Sequence, residues 1–376
     1  MSLSLPADPP HARSLTGVLP QLLSSLRGES DWFAPASSAI VFVVDGLGAR
    51  NLAARAGHAR FLASTMAKKD VARTVFPSTT AAALTSLLTG TWPGEHGIVG
   101  YRVRVPGTDS APNQLKGWET DGLSPTTWQR AQPLFERESA AGRPTFVVSR
   151  AEYVGSGFTE ATLRGGQFVT AADVVDRARI AADLAADNPG SLVYLYAPDL
   201  DGIGHKSGWE SDPWAAGLER IDSAARVLST ALRPGVGAVL TADHGMVDVP
   251  RHRHLLLSEG SELLRGVRLI GGEPRMLHLY AEVGEGERVA QAWRASESGR
   301  SWVMTRDEAI GAGLFGPRAD EAVRDRIGDV IVAARAAVAY YDDRLFDKAA
   351  QKMVGQHGSL TDEERTVPLV RLGAFA

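Results

Sequence analysis

The chain has 376 residues, 44% of them hydrophobic and 22% charged, with a formal net charge of −4. That length can bury a large core and exceeds one simple domain; the mild acidity leaves no basic footprint for stable nucleic-acid binding, and no apolar run approaches the ~18 residues of a membrane span. There is no cysteine, so disulfides, thiolate metal sites and cysteine nucleophiles are excluded, and any transition-metal site must use carboxylates and the nine histidines.

Residues 1–37 read as an N-terminal lead-in with one short helix near Leu15–Leu26. Met1 to Pro10 shows neither a basic start nor a long apolar segment. No export signal is visible there, so the expectation is cytoplasmic, with export left open. Ala39–Val44 is a continuous apolar, β-branched run, the pattern of a strand buried on both faces, and it ends in Asp45-Gly-Leu-Gly48. Helical pattern follows from Ala53 to Lys68, then a short strand near Ala72–Val75.

Phe76 to Gly90 reads as a turn at Pro77 and Ser78 followed by a helix of small and apolar residues. Ser78 and Thr79 are N-cap types, Leu84, Leu87 and Leu88 form a helix-period stripe, and Gly90 is a C-terminal stop. Thr80 then sits in the first turn, where unpaired N–H groups and the helix dipole favour an anion. A hydroxyl there is well placed to attack phosphorus. On this stretch alone a plain helix-start threonine is the better reading; the motifs further along reverse that.

Trp92–Gly97 is a loop, and residues 101–127 are irregular and rich in Pro, Gly, Thr and Trp, the kind of long loop that builds binding sites. A helix near Pro133–Ala141 leads to strands at Thr145–Val148 and Gln167–Thr170 and a helix from Ala171 to Ala185. Ser191–Tyr196 is a second buried strand, ending in Asp199-Leu-Asp-Gly-Ile-Gly-His205. Trp214–Leu232 is an amphipathic helix, and the third buried strand, Gly237–Ala242, ends in Asp243-His244. Strands that alternate with helices and carry acids at their carboxyl ends predict an α/β fold with a mostly parallel central sheet, its ligands gathered at those ends. Residues 262–335 change character. Short strands near Val267–Ile270, Met276–Tyr280 and Trp302–Met304, a helix over Arg288–Ala295 and a hairpin of Val330–Ala333 with Ala336–Tyr340 read as a small inserted α+β subdomain. It would interrupt a catalytic domain spanning 38–376, which closes on Val367–Leu372 as a helix or edge strand.

Each polar candidate is ordinary alone. Asp45 is as good an N-cap as a metal ligand. Asp201 and His205, in Asp-x-x-x-His, read first as loop residues around Gly202 and Gly204. Asp243-His244 is poor core material, since a buried Asp needs a partner. His357, between Gly355 and Gly358, is by itself a loop histidine. Together, three Asp and three His at strand ends or in Gly-bordered loops can supply two metal sites, suited to Zn²⁺ first and to Mn²⁺ or Fe after it. A metal pair about 3.5–4 Å apart clamps both the attacking and the leaving oxygen of an in-line phosphoryl displacement. Thr80 offers the nucleophile.

At this point the sequence resembles the alkaline phosphatase superfamily, in its type I phosphodiesterase/nucleotide pyrophosphatase branch. The matching segments are Val43-Val-Asp-Gly-Leu-Gly48, Thr80 ten residues before Gly90, Gly94-Glu-His-Gly-Ile98, Asp201-Gly-Ile-Gly-His-Lys-Ser-Gly208, Thr241-Ala-Asp-His-Gly-Met246 and Gln356-His-Gly358. They occur in family order across residues 40–360. The resemblance implies an alkaline-phosphatase-like three-layer sandwich. It also implies a hydrolase that cleaves phosphodiester or pyrophosphate bonds of a small nucleotide-type substrate through a phosphothreonine. By the same resemblance, Asp45, Asp243 and His244 bind the metal that activates Thr80, while Asp201, His205 and His357 bind the second. Spacing to Thr89-Gly90 favours Thr80 over Thr79, because one position turns a helical side chain by ~100°.

Two departures from the family pattern stand out. Gly100-Tyr101-Arg102 occupies the place of an asparagine that contacts the phosphoryl group, which makes Tyr101 and Arg102 candidates for that contact. Tyr196 and Ala197 occupy the place of the glutamate that holds a third metal in monoesterases, which leans toward diesters. The Pro-x-Arg context of sulfatases is absent. Trp118, Phe158 and Tyr101 are candidate stackers for a base or leaving group, against a simpler role in packing the loops. His96 reads as a turn former, His252 and His254 as a solvated face, and His11, His58 and His278 as structural or exposed. A phosphomonoesterase or phosphonate hydrolase with the same metals is the alternative, then a phosphosugar mutase. From another class comes a non-catalytic metal-binding module of the same fold.

Overall fold

A computed structural model describes residues 5–118 and 122–376. The first four residues of the lead-in and positions 119–121 of the long loop lie outside it. The central sheet has seven strands: β1 (Ser38–Val44), β2 (Val71–Arg73), β3 (Thr145–Ser149), β4 (Gln167–Thr170), β5 (Leu192–Ala197), β6 (Val236–Thr241) and, from the far end of the chain, Thr366–Gly373. Their spatial order is β2, Thr366–Gly373, β6, β1, β5, β3, β4. From β6 to β4 every pairing is parallel; Thr366–Gly373 runs antiparallel to both its neighbours. The C-terminal run is therefore a strand inside the sheet. The short β2 takes the edge.

β1, β5 and β6 are buried along their whole length, which explains their unbroken apolar sequences. Helices Val174–Asp187 and Asp212–Ala231 pack on each other, and the former also lies on β1, β3 and β5. The lead-in helix Leu15–Ser25 packs on the Thr80–Thr89 helix and touches β1. It buries Leu15, Val18, Leu19, Leu22 and Leu23 in the main core. All ten residues of the Thr80 helix are buried.

The remaining strands are β7 (Val247–Asp248), β8 (His254–Leu257), β9 (Val267–Glu273), β10 (Met276–Ala281), β11 (Ser301–Thr305), β12 (Val330–Ala334), β13 (Ala339–Asp342) and β14 (Gly355–Gln356), so that Thr366–Gly373 is β15. β9 to β12 form an antiparallel sheet in the order β11, β12, β10, β9. With the Gly286–Glu297 helix it encloses a small core of its own around Trp293, Leu277 and Val332. The hairpin expected from Val330 to Tyr340 does not form. β12 joins the small sheet, while β13 pairs in parallel with β8. The cause is Arg275, whose guanidinium takes the carbonyls of Ala334, Ala336 and Val338 and turns the chain between the two strands.

Candidate active site

β6, β1 and β5 are neighbours, with Val43 opposite both Thr241 and Tyr196. The residues that follow these strands therefore emerge side by side at their carboxyl ends. Asp45 follows β1 directly, Asp243 lies two residues beyond β6, and Asp201 and His205 lie in a helix, Asp199–Ser207, that opens after β5. That helix replaces the loop expected around Gly202 and Gly204, and it turns Asp201 and His205 to one face, four residues apart. Gly46 has φ +74°, and a Cβ there would lie 3.0 Å from the Asp201 side chain, so only glycine allows this approach of β1 to the helix. The last ligand candidate arrives by a separate route. β7, just after His244, pairs with β14, just before His357. The two imidazoles stack with centroids 3.6 Å apart.

The three histidines are oriented alike. His205 Nδ1 lies 2.8 Å from Gly355 O, His357 Nδ1 2.9 Å from Ser78 O, and His244 Nδ1 3.1 Å from Gly245 O. A carbonyl only accepts, so each Nδ1 carries the proton and each Nε2 presents a lone pair to the site. His205 Nε2 and His357 Nε2 face each other at 3.3 Å. Two lone pairs cannot bond to each other; a cation between them resolves the contact.

The carboxylates make the same point. Asp243 Oδ1 accepts the N–H groups of Gly46 (3.1 Å) and His244 (3.0 Å), and Asp45 Oδ2 accepts the Tyr196 hydroxyl. Their other oxygens, Asp243 Oδ2 and Asp45 Oδ1, are buried without a partner, as is Asp201 Oδ1. Among the described residues no Lys or Arg pairs with any of the three; the nearest basic atoms are the histidine Nε2 lone pairs, that of His244 at 3.6 Å from Asp45 and 3.4 Å from Asp243, and that of His205 at 3.3 Å from Asp201, which offer the carboxylates no proton. Burial, then the charges of Asp243 and Asp201, push the Asp45 carboxyl well above the usual carboxylate range. Burial, then His244 and His205, hold His357 well below the usual histidine range. Buried anions without compensation are costly, and a donor set of aimed lone pairs and orphaned carboxylate oxygens fits divalent cations. Two sets have ligand atoms within 4.8 Å of one another: Asp45, Asp243 and His244, and Asp201, His244 and His357. His205 joins the second through its contacts with Asp201 and His357.

Thr80 Oγ1 lies 3.1 Å from His244 Nε2. Thr80 borders a chamber of about 750 Å³ that also reaches Asp45 and Asp201. Thr79 is the N-cap, 1% exposed, and does not border the chamber. Trp118 and Phe158 line it together with Tyr153, Phe168 and Lys116. Trp118 is held as a roof, its indole N–H on Gln114 O at 2.7 Å and its side chain against Gly157, where a Cβ would come within 2.3 Å. Tyr101 and Arg102 are not among the lining residues. The Tyr101 N–H donates to Glu273 Oε2 at 2.9 Å, and Arg102 Nε to Ala111 O at 3.2 Å. His96 and His278 are fully buried and neutral, pushed down to about 3 and about 4, first by burial. His278 ties Val99 O (2.8 Å) to the small sheet, and His96 bonds Ser86 (2.8 Å). Sequence reasoning did not connect Tyr196 with Asp45, nor find Glu273, a buried carboxylate with one unpartnered oxygen.

The type I phosphodiesterase/nucleotide pyrophosphatase profile matches residues 39–360, most of the chain. The chain belongs to that family. It is a nucleotide pyrophosphatase/phosphodiesterase-like hydrolase of a metal-dependent family. Among solved structures, it is similar to murine ectonucleotide pyrophosphatase/phosphodiesterase 5 in an inactive threonine-to-alanine form in complex with AMP (TM-score 0.67, 18% identity, covering 89% of this chain and 88% of that one). The human ectonucleotide pyrophosphatase/phosphodiesterase 5 gives a TM-score of 0.68 at 17% identity, covering 89% of this chain and 87% of that one. At that identity the likeness concerns the fold, and it matches the α/β arrangement around a mixed central sheet described above. Among the described residues no helix is long and apolar enough to cross a membrane.

Proposed function

We propose that this enzyme cleaves phosphodiester or pyrophosphate bonds of small nucleotide-type substrates through a covalent phosphothreonine on Thr80. The observation that carries the proposal is the meeting of Thr80 Oγ1, at 3.1 Å from His244 Nε2, with three carboxylates that each keep one buried oxygen without a partner. Asp45, Asp243 and His244 would hold one divalent ion, and Asp201, His205 and His357 another, Zn²⁺ before Mn²⁺ or Fe. Divalent ions bound there lower the pKa of a coordinated hydroxyl or water and neutralise charge on phosphoryl oxygens.

The protein's own part follows from placement. Thr80 Oγ1 forms a bond to phosphorus as the bond from phosphorus to the leaving oxygen breaks. Water then cleaves the threonine–phosphorus ester, restoring the hydroxyl and releasing the phosphoryl product. The first turn of the Thr80 helix has N–H groups that no carbonyl of its own helix can take, and these would hold a non-bridging oxygen. The chamber would take the esterifying group, with Phe158 and Tyr153 as aromatic walls and Lys116 as the one lining cation among the described residues. The AMP in the murine neighbour supports a nucleotide-type substituent.

Two features favour a diester over a monoester. The chamber leaves room for a bulky second substituent beside Thr80. The outer oxygen of Asp45 is taken by the Tyr196 hydroxyl, so a protein donor stands where a further cation would need a ligand. The test is a comparison of rates on bis-p-nitrophenyl phosphate and p-nitrophenyl phosphate with metal-loaded protein. Faster diester cleavage is expected. Faster monoester cleavage would favour the phosphomonoesterase reading, and no cleavage of either by protein that binds its metals would favour a binding module.

A further inference from the structure

Arg275 and Glu364 form a fully buried ion pair, 1% and 0% exposed at their side chains, that joins the small sheet to the main body. Arg275 lies at the tip between β9 and β10; Glu364 lies just before β15. Every donor of the guanidinium is used. Nε and Nη2 meet the two Glu364 oxygens at 2.7 and 2.8 Å, and the remaining N–H groups reach the carbonyls of Ala334, Ala336 and Val338. A buried pair so completely satisfied fixes position more than it adds stability.

What it fixes lies on both sides of the proposed metal positions. Glu364 Oε1 accepts the N–H of Ser359 at 2.9 Å, two residues from His357. The Ser359 hydroxyl donates to Ala334 O at 2.6 Å, a carbonyl that Arg275 also binds. The backbone carbonyl of Glu364 accepts the N–H of Gly245 at 2.8 Å, next to His244. One residue thus anchors the chain beside each of the two stacked imidazoles, and its own orientation is set by an arginine from the small sheet.

We infer that Arg275 is a positioning residue: through Glu364 it holds the His357 loop, and with it the Nε2 lone pair, at the separation that retains the second metal ion. The small sheet is then a structural part of the metal site without supplying a ligand. The inference rests on the two-metal reading of the site.

The test is zinc binding to the full chain, measured by competition with a chromophoric chelator and by metal stoichiometry after gel filtration, alongside thermal unfolding. Arg275→Lys keeps the charge but loses the two-pronged fork. It is expected to weaken the site of Asp201, His205 and His357 by roughly 10- to 100-fold, the range for residues that orient metal ligands, and the site that includes His244 by much less, since only the Glu364 backbone reaches Gly245. Arg143→Lys is the control: its partly buried pair with Glu138 (2.9 Å) lies just before the amino end of β3 and contacts no candidate ligand, so both zinc sites should be retained. Two zinc ions bound by Arg275→Lys at wild-type affinity would overturn the inference. So would equal weakening of both sites in step with lost stability. Should Arg275→Lys fail to fold, Glu364→Gln answers the same question, since it keeps the shape and an acceptor for Ser359 but loses the charge that grips Arg275. Wild-type protein that binds neither zinc nor manganese nor iron would instead overturn the proposed function.

Discussion

Replacing Tyr196 by phenylalanine removes one hydroxyl from β5 and leaves its packing in place. Tyr196 is 8% exposed and Asp45 4% exposed, so no other side chain stands ready to replace the lost bond, and only water from the adjoining chamber could enter. Asp45 Oδ1 already has no partner; without the phenol, Oδ2 has none either. Burial first, then the Asp45 charge, pushes the phenol well above its ordinary range, so it stays a donor through alkaline pH. A hydrogen bond to a charged group contributes about 1.5–3 kcal/mol. Tyr196→Phe should therefore weaken cation binding at the Asp45, Asp243 and His244 position by roughly 10- to 100-fold, at about 1.4 kcal/mol per tenfold. The assay is zinc competition against a chromophoric chelator, with two sites resolved. The site made by Asp201, His205 and His357 should keep its affinity. Unchanged binding at both sites would refute the claim that this hydroxyl orients Asp45.

Other outcomes follow from groups further from the chemistry. His278 is buried and held down to about 4, against about 6.5 for a free histidine, so the unfolded chain binds its proton first on acidification. The sign is that of a depressed group: its stability is present above pH ~6.5 and is lost as pH falls toward 4, up to roughly 3 kcal/mol in all. His278→Gln should lower stability at pH 7 and flatten the acid limb of urea unfolding; an unchanged limb would contradict the burial argument. Gly157→Ala places a Cβ against Trp118 and should shift the chamber roof. The expected result is a raised KM for the bulkier of two diesters with metal content unchanged, and equal KM values for both would show that the roof does not touch substrate.

The core of the site was legible because its strands are plain. Three apolar runs each end in an acid, and parallel pairing of β6, β1 and β5 is enough to bring Asp45, Asp201 and Asp243 together. The place of Thr80 at the start of its helix was legible from capping residues, but a role for it came only from the family resemblance. What could not be read depends on register and on long-range contacts. Tyr196 meets Asp45 only because Val43 lies opposite it. Trp118 reads as either a stacker or a loop-packing residue, and no local pattern announces that its indole is tied to Gln114 and its side chain rests on Gly157. Arg275 and Glu364 are 89 residues apart and look like surface charges. The same arginine undoes the hairpin that the apolar pattern of residues 330–340 predicts, by taking three carbonyls at the turn. Periodicity reports which face is buried, not which distant cation will claim a carbonyl.

The most direct measurement is rapid acid quench of the zinc-loaded protein during turnover of a diester, followed by peptide mass spectrometry, in parallel for wild type and Thr80→Ala. The account predicts a phosphoryl adduct on the peptide carrying Thr80 in wild type, and neither adduct nor hydrolysis in Thr80→Ala with its zinc retained. Full hydrolysis by that variant would contradict it.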